Sequence, residues 1–193
     1  MKKFTALLIV IFFVSANLLL AQNAIPNKFC INSYEKEMLK IINQYRKSKN
    51  LPAVQLSAEL TKVAKIHAHD LDTNHPDTGV CNMHSWSDKG TWKNCCYTED
   101  HKNSKLMWSK PGELTNYKSE GYEIAYKTSG NIVPSEVLTC WKKSTGHNNV
   151  ITEKGTFNKI KWKAIGISAE GYYVLIWFGT EPDKEPALPE CEK

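Results

Sequence analysis

The 193-residue sequence lacks most short signatures of catalysis and of nucleic-acid binding. It has no H-E-x-x-H zinc motif, no C-x-x-C pair, no recognisable order of Ser, His and Asp for a nucleophile, and no internal repeat. Its lysines are scattered and the formal net charge is only +5, which argues against a nucleic-acid partner. Six Cys are too few for a scaffold held by disulfides alone, whereas 41% hydrophobic and 23% charged residues are normal for a globular domain.

The N-terminus has the pattern of an export signal. Lys2 and Lys3 give a positive start, residues 4–20 form an uncharged apolar run, and the small residue Ala21 precedes a plausible cleavage site. The pattern predicts a signal peptide over residues 1–21 and a secreted or periplasmic protein. The alternative is an uncleaved anchor, because a run of this length nearly spans a bilayer. No later run has membrane length, so we expect no stable membrane insertion after cleavage.

All six cysteines follow that segment, which predicts disulfide bonds in an oxidising compartment and no free thiol. Cys95 and Cys96 are poor partners for each other. Adjacent Cα atoms lie about 3.8 Å apart, whereas a disulfide usually joins Cα atoms roughly 4.4–6.8 Å apart. We expect them to reach different distant partners, one of them Cys81 or Cys140. Cys191 is expected to pin the C-terminal tail.

The remaining chain shows both helical and strand patterns. Residues 22–32 are predicted to be an extended lead-in, and helices are predicted to begin at the Asn32–Glu35 capping box, at Ser57 and at Pro134. Strands are predicted at three places: 122–126, 161–167 and 172–178. Helices and strands without strict alternation indicate a layered α/β or α+β sandwich.

Two features of the chain before the first predicted strand are notable. His67 lies in the apolar stripe of the second predicted helix, which favours a buried, hydrogen-bonded histidine over a ligand. Residues 85–120 form an insertion rich in Trp and Cys with little periodicity, and segments of this length are often functional. Its aromatic side chains predict either a small satellite core or a recognition surface: Trp86, Trp92, Tyr97 and Trp108. Residues 181–193 are a Pro-rich tail.

Taken together, several segments resemble the CAP superfamily of cysteine-rich secretory proteins, insect venom antigen 5 and plant pathogenesis-related proteins, in its bacterial branch. The resemblance rests on an ordered set of segments: Glu37–Arg46, Leu56–Leu71, His84-Ser85, Trp141–Ile151, Ala164–Ile167 and Trp177–Gly179. It covers residues 33–180. It implies a three-layer α-β-α sandwich with a central antiparallel sheet and a cleft over it.

The resemblance also implies that the cleft contains two histidines, which correspond to His84 and His147. Two imidazoles from distant segments suit Zn²⁺ or another borderline metal, so both are candidate metal ligands. Each has a simpler alternative. His84 would be a loop histidine bonded within the insertion, and His147 a helix-end residue that bonds a carbonyl.

The acidic members of the family's cleft are only partly matched. The G-E-N-I-A strand corresponds to residues 121–125, where either Tyr122 faces the cleft or a bulge brings Glu123 there, since a one-residue shift reverses the face. The second acidic position is occupied by Ser144. The cleft set is therefore His84, Glu123, Ser144 and His147.

Three functions are compatible with this interpretation. The preferred one is a secreted binding module whose cleft holds a small molecule, a lipid or an extracellular protein, with zinc as an optional cofactor. The second is a metal-dependent hydrolase with Glu123 as general base for a zinc-activated water. The third is a structural or inhibitory extracellular protein with a vestigial cleft. Because the insertion begins beside His84 and ends beside Glu123, we expect it to form an ordered flap that narrows the cleft.

Overall fold

The computed structural model describes residues 29–192, so the predicted signal peptide and most of the lead-in lie outside the described residues. The chain forms these elements in order: α1 (Ser33–Ser48), β1 (Gln55–Leu56), α2 (Ala58–Asn74), α3 (Ser104–Trp108), α4 (Lys110–Leu114), β2 (Gly121–Lys127), α5 (Pro134–Lys143), α6 (Thr145–Thr152), a 3₁₀ turn (Gly155–Phe157), β3 (Ala164–Glu170) and β4 (Tyr173–Gly179). None of the helices among these residues is long and apolar enough to cross a membrane.

The four strands form one sheet in the order β1-β3-β4-β2. Strand β4 pairs antiparallel with both β3 and β2, whereas the two-residue β1 pairs parallel with β3. Alternate side chains face opposite layers. Ile124, Ile165 and Ile176 pack against α1, α5 and α6, while Ala164 and Trp177 pack against α2. The expected three-layer α-β-α sandwich is confirmed, with β1 as a parallel addition that the sequence did not predict.

The predicted helix starts are confirmed. Asn32 and Glu35 form a capping box, each side chain accepting from the other's backbone N–H at 2.9 Å. Ser57 Oγ accepts from the Leu60 N–H at 2.9 Å at the start of α2, and Asp183 of the tail accepts from the Ser57 hydroxyl at 2.6 Å. The tail therefore completes the cap of the helix that carries His67.

The predicted start of one strand lies three residues before the start in the structure. Strand β3 starts at Ala164 rather than at residue 161. Trp162 is buried with its indole N–H donating to the Val150 carbonyl at 2.7 Å, which draws the preceding backbone toward α6. The Lys-Trp-Lys alternation of residues 161–163 thus reflects the burial of Trp162, and only Lys163, whose N–H donates to the Gly179 carbonyl at 2.9 Å, bonds to β4.

Two disulfides tie the ends and the insertion to the domain. Cys30 bonds to Cys191, which pins the tail as predicted, and Cys81 bonds to Cys96, which anchors the insertion to the segment before it. The expected link from one of the adjacent cysteines to Cys81 is confirmed.

The expectation of no free thiol is wrong, since Cys95 and Cys140 are unpaired. Neighbouring residues of an extended segment point to opposite sides, so Cys95 faces the core while Cys96 reaches its partner. The backbones of Trp86 and Cys95 exchange two hydrogen bonds, at 2.7 and 3.0 Å, which hold the Cys95 side chain inward. Burial raises the pKa of the Cys95 thiol, and Cys140 lies exposed on α5.

A buried ion pair joins the end of α1 to the end of α6. Arg46 and Glu153 are almost fully buried, and Arg46 Nη2 donates to Glu153 Oε1 at 2.8 Å. The other guanidinium nitrogens donate to the carbonyls of Ile151 at 2.7 Å and Pro52 at 3.1 Å. Burial alone would raise the pKa of Glu153, but its hydrogen bonds, first that from Arg46, hold the pKa below the ordinary value.

We predict that Glu153→Gln lowers the free energy of unfolding by about 3 kcal/mol at pH 7, because it leaves the Arg46 charge buried without its partner. The pKa is lower in the folded state, so the contribution is full above the unfolded-state pKa and disappears as the pH falls through the folded-state pKa. Urea unfolding at several pH values measures this. The exposed Glu37→Gln change, which removes a surface pair with Lys40, should cost below about 0.5 kcal/mol. An equal cost for both variants would contradict the prediction.

Thiol titration without reductant should find one reactive thiol in the native protein and two after denaturation. Cys140 is exposed and reacts first, whereas Cys95 reacts only when its burial is lost. The Cys140→Ser variant should retain only the slow thiol. Finding none after denaturation would show a third disulfide.

Candidate functional site

A cavity of about 630 Å³ lies beside the outer edge of β2, and all four predicted cleft residues line it: His84, Glu123, Ser144 and His147. His84 comes from the segment after α2, Glu123 from β2, and the other two from the start of α6. The insertion supplies six further lining residues: Tyr97, Glu99, His101, Ser104, Met107 and Trp108. The cavity therefore has the sheet edge as its floor and the insertion as one wall.

Glu123 is the centre of the hydrogen bonding beside this cavity. Its Oε1 lies 2.6 Å from His67 Nδ1 and its Oε2 lies 2.8 Å from His84 Nδ1, and its side chain is inaccessible to solvent. No bulge is needed, because β2 pairs with β4 in an unbroken register that places Glu123 opposite Trp177. Tyr122 points to the other face, where its ring packs against Trp162.

The hydrogen bonds of His67 fix a proton at this centre. His67 Nε2 lies 2.8 Å from the Ser85 carbonyl oxygen, which can only accept, so Nε2 carries a hydrogen. A second hydrogen must lie between His67 Nδ1 and Glu123. Burial alone would raise the pKa of Glu123, but the two histidines outweigh it and hold the pKa below the ordinary value. The buried carboxylate is therefore held between two imidazole rings.

The plane of the His67 ring is also fixed, by stacking on Trp86. It stacks on the Trp86 indole with ring centroids 4.1 Å apart and planes only 8° from parallel. Stacked aromatic rings of this kind stabilise each other. The sequence correctly predicted a buried, hydrogen-bonded histidine, yet the carboxylate partner 56 residues away left no local signal.

The carboxylate in turn orients His84. Because Glu123 Oε2 accepts, His84 Nδ1 donates, and Nε2 is the ring nitrogen that Glu123 does not engage. The His84 side chain is 19% exposed, so the ring is within reach of the cavity. A histidine held through one nitrogen by a carboxylate is the usual arrangement of a metal-ligating histidine.

His147 is the second imidazole of the cavity. It lies in the first turn of α6, and burial, with a smaller effect of the nearby His84, lowers its pKa. It is therefore neutral and has a lone pair available at neutral pH. Ser144 precedes it as the N-cap residue, and the Ser144 side chain makes no capping hydrogen bond.

The donor set of the cavity is smaller than that of most zinc sites. Among residues 29–192, no three His, Cys, Asp or Glu side chains are grouped to hold a metal. Two imidazoles, with water in the remaining positions, make fewer protein bonds than the three or four of most zinc sites. Glu123 is no further ligand, because both of its oxygens are engaged by histidines.

Comparison with known proteins identifies the fold. The model of the family described as CAP, cysteine-rich secretory protein family, matches residues 39–165. An outer surface protein from Borrelia burgdorferi superposes with a TM-score of 0.51 at 17% identity, over 75% of this chain and 90% of that one. An extracellular protein with an SCP domain from Bacillus anthracis str. Ames gives 0.51 at 14% identity, over 77% of this chain and 40% of its own. No curated protein shows significant sequence similarity to the chain.

We predict that His67→Ala lowers the free energy of unfolding by about 3 kcal/mol, because it leaves the Glu123 carboxylate buried with one donor fewer. His69→Ala is the matched control two residues along the same helix. His69 is partly exposed and pairs with a partly exposed Glu170, so its loss should cost below about 1 kcal/mol. Urea unfolding of the two variants makes the comparison, and a smaller effect of His67→Ala would disprove the role given to it.

Proposed function

Because this chain belongs to the cysteine-rich secretory protein (CAP) family, we propose that it is an extracellular binding protein whose ligand enters the cleft beside His84 and His147. The observation that supports this most is the buried carboxylate of Glu123, in which each oxygen is hydrogen-bonded to a different histidine. Burying an ionised group is costly unless it is fully paired. Because this pairing must be maintained, the histidine that faces the cavity is held in a defined orientation, as a binding site requires.

Zinc is the metal that this cleft would hold. His84, through its free Nε2, and His147 would bind it, and the ion would supply an open coordination position to a ligand oxygen or nitrogen. Glu123 would act on the metal only through His84, as an outer carboxylate. The two imidazoles come from separate layers of the fold, so a bound ion would also tie α6 to the segment that follows α2.

Export agrees with this function. The predicted signal peptide would carry the chain to an oxidising compartment, and the two disulfides are bonds of the kind that persist there. The Cys81–Cys96 bond anchors the insertion, which forms one wall of the cleft.

The geometry favours binding over hydrolysis. The hydrolase hypothesis needs Glu123 to take a proton from a water molecule, but its side chain is inaccessible and its oxygens already accept from two histidines. A general base must reach the proton that it removes. We therefore assign Glu123 a positioning role.

Zinc titration of tag-free protein by calorimetry tests the metal part of the proposal. We expect binding by the unmodified protein, and at least about tenfold weaker binding for His84→Ala and for His147→Ala. The control is His75→Asn, since His75 is exposed at the end of α2 and away from the cavity. Unchanged zinc affinity in both cleft variants would refute a site at these histidines. If the unmodified protein binds no zinc, the metal part of the proposal is wrong, and the cleft would bind its ligand without a metal.

A further inference from the structure

The free edge of β2 forms the floor of the cavity, and we infer that the cleft receives an extended polypeptide segment whose main chain pairs with β2 at Glu123. The inference rests on the proposed function of the cleft and names the class of its ligand. Strand β2 pairs with β4 on one side only, and among residues 29–192 no other strand pairs with it.

The register shows which backbone groups face that edge. The Thr128 N–H donates to the Tyr172 carbonyl at 3.0 Å. This hydrogen-bonded pair lies two residues beyond the pair of Tyr126 and Val174 in the same ladder. Hydrogen-bonded pairs alternate along an antiparallel ladder. The even-numbered residues of β2 therefore bond to β4, and the odd-numbered residues turn their N–H and C=O groups outward.

One neighbouring contact agrees with this assignment, and side chains pack near both ends of the edge. The outward carbonyl of Ala125 accepts from Trp141 Nε1 at 3.1 Å, so α5 covers that end. Pro111 packs beside the other end, where a Cβ added to Gly121 would lie 2.6 Å from its ring. Glu123 lies between them.

The main chain of Glu123 is the part that reaches the cavity. The residue is 6% exposed although its side chain is 0% exposed, so the accessible atoms belong to the backbone. No loop or side chain of the described residues bonds to its N–H or its carbonyl. An unpaired backbone donor and acceptor at the floor of a cavity is an uncommon feature. The main chain of an extended residue satisfies both at once.

The walls of the cavity suit the side chains of such a segment. A residue opposite Glu123 would point its side chain toward His84, because paired residues share a face. The residues on either side of it would point toward the apolar wall, where partly exposed rings of Tyr122 and Phe157 lie 5.9 Å apart. No Lys or Arg of residues 29–192 lines the cavity, whereas the exposed Glu99 does, so a neutral or cationic segment fits and an acidic one does not.

Gly146 offers a way to close the cleft without disturbing the fold. It lines the cavity in the first turn of α6, and a Cβ added to it meets no atom within 4 Å. Gly146→Ala should therefore leave the cleft open, whereas the side chain of Gly146→Trp should fill it. Both variants should unfold at closely similar denaturant concentrations.

The test pans a phage-displayed library of random linear heptapeptides on the immobilised protein. Peptides enriched on the unmodified protein should bind Gly146→Ala equally and Gly146→Trp at least tenfold more weakly. Peptide analogues methylated at one backbone nitrogen at a time should lose at least tenfold at the single position opposite Glu123. In the complex, hydrogen exchange of the Glu123 amide should slow at least tenfold.

Three results would overturn the inference. These are the absence of any peptide that depends on the cleft, unchanged exchange of the Glu123 amide in a peptide complex, and cleft-dependent binding of phosphatidylcholine vesicles or a soluble oligosaccharide in place of peptides. If zinc titration still locates the histidine site, the failure concerns the ligand class only. If Gly146→Trp changes neither zinc nor peptide binding, the proposed cleft function fails as well.

Discussion

The carboxylate of Glu123 is the constraint on which the site depends. It lies where α2, the segment before the insertion and β2 meet, and each of its oxygens is committed to a histidine from a different segment. His67 on α2 also hydrogen-bonds through Nε2 to the Ser85 carbonyl at 2.8 Å. This bond fixes the backbone next to His84, whose ring is already held by Glu123. A buried charge without these partners would be strongly destabilising. The fold and the orientation of the cavity histidine are therefore maintained by the same interactions.

The insertion is organised around the same centre. Trp86 stacks on His67, and the buried Lys110 lies 5.3 Å above the Trp86 ring and donates to Glu113 at 2.6 Å. Ser87 bonds to Asp70 of α2 through both its N–H and its hydroxyl, at 2.8 and 2.5 Å. The aromatic residues of the insertion thus divide between its packed interior and the wall of the cavity. Trp86 belongs to a packed core, whereas the edges of Tyr97 and Trp108 reach the cavity.

Local patterns in the sequence predicted the parts of this fold that depend on neighbours in the chain. The capping box at Asn32, the helix stripes and the closing strands all follow from spacing of a few residues. Long-range pairing is different. Nothing near His67 indicates Glu123, and the face of β2 that carries Glu123 is set by its register with β4. The inward turn of Cys95 depends in the same way on its backbone pairing with Trp86. The resemblance to a family indicated His84 and His147, and only the three-dimensional register shows that Glu123 bonds to the histidines while Tyr122 lies on the other face of the sheet.

That register has a second consequence, which links the interior of the site to its surface. In an antiparallel edge strand, the residues whose main chain faces outward alternate with those bonded to the sheet, and their side chains alternate between the faces. Glu123 combines a buried side chain with an outward main chain. A shift of one residue would move the carboxylate to the opposite layer and, at the same time, turn this amide into the sheet. The position that orients His84 is therefore also the position that leaves a backbone donor and acceptor at the floor of the cavity. A ligand that bonds to this edge lies within reach of the oriented histidine, because both features are fixed by one residue.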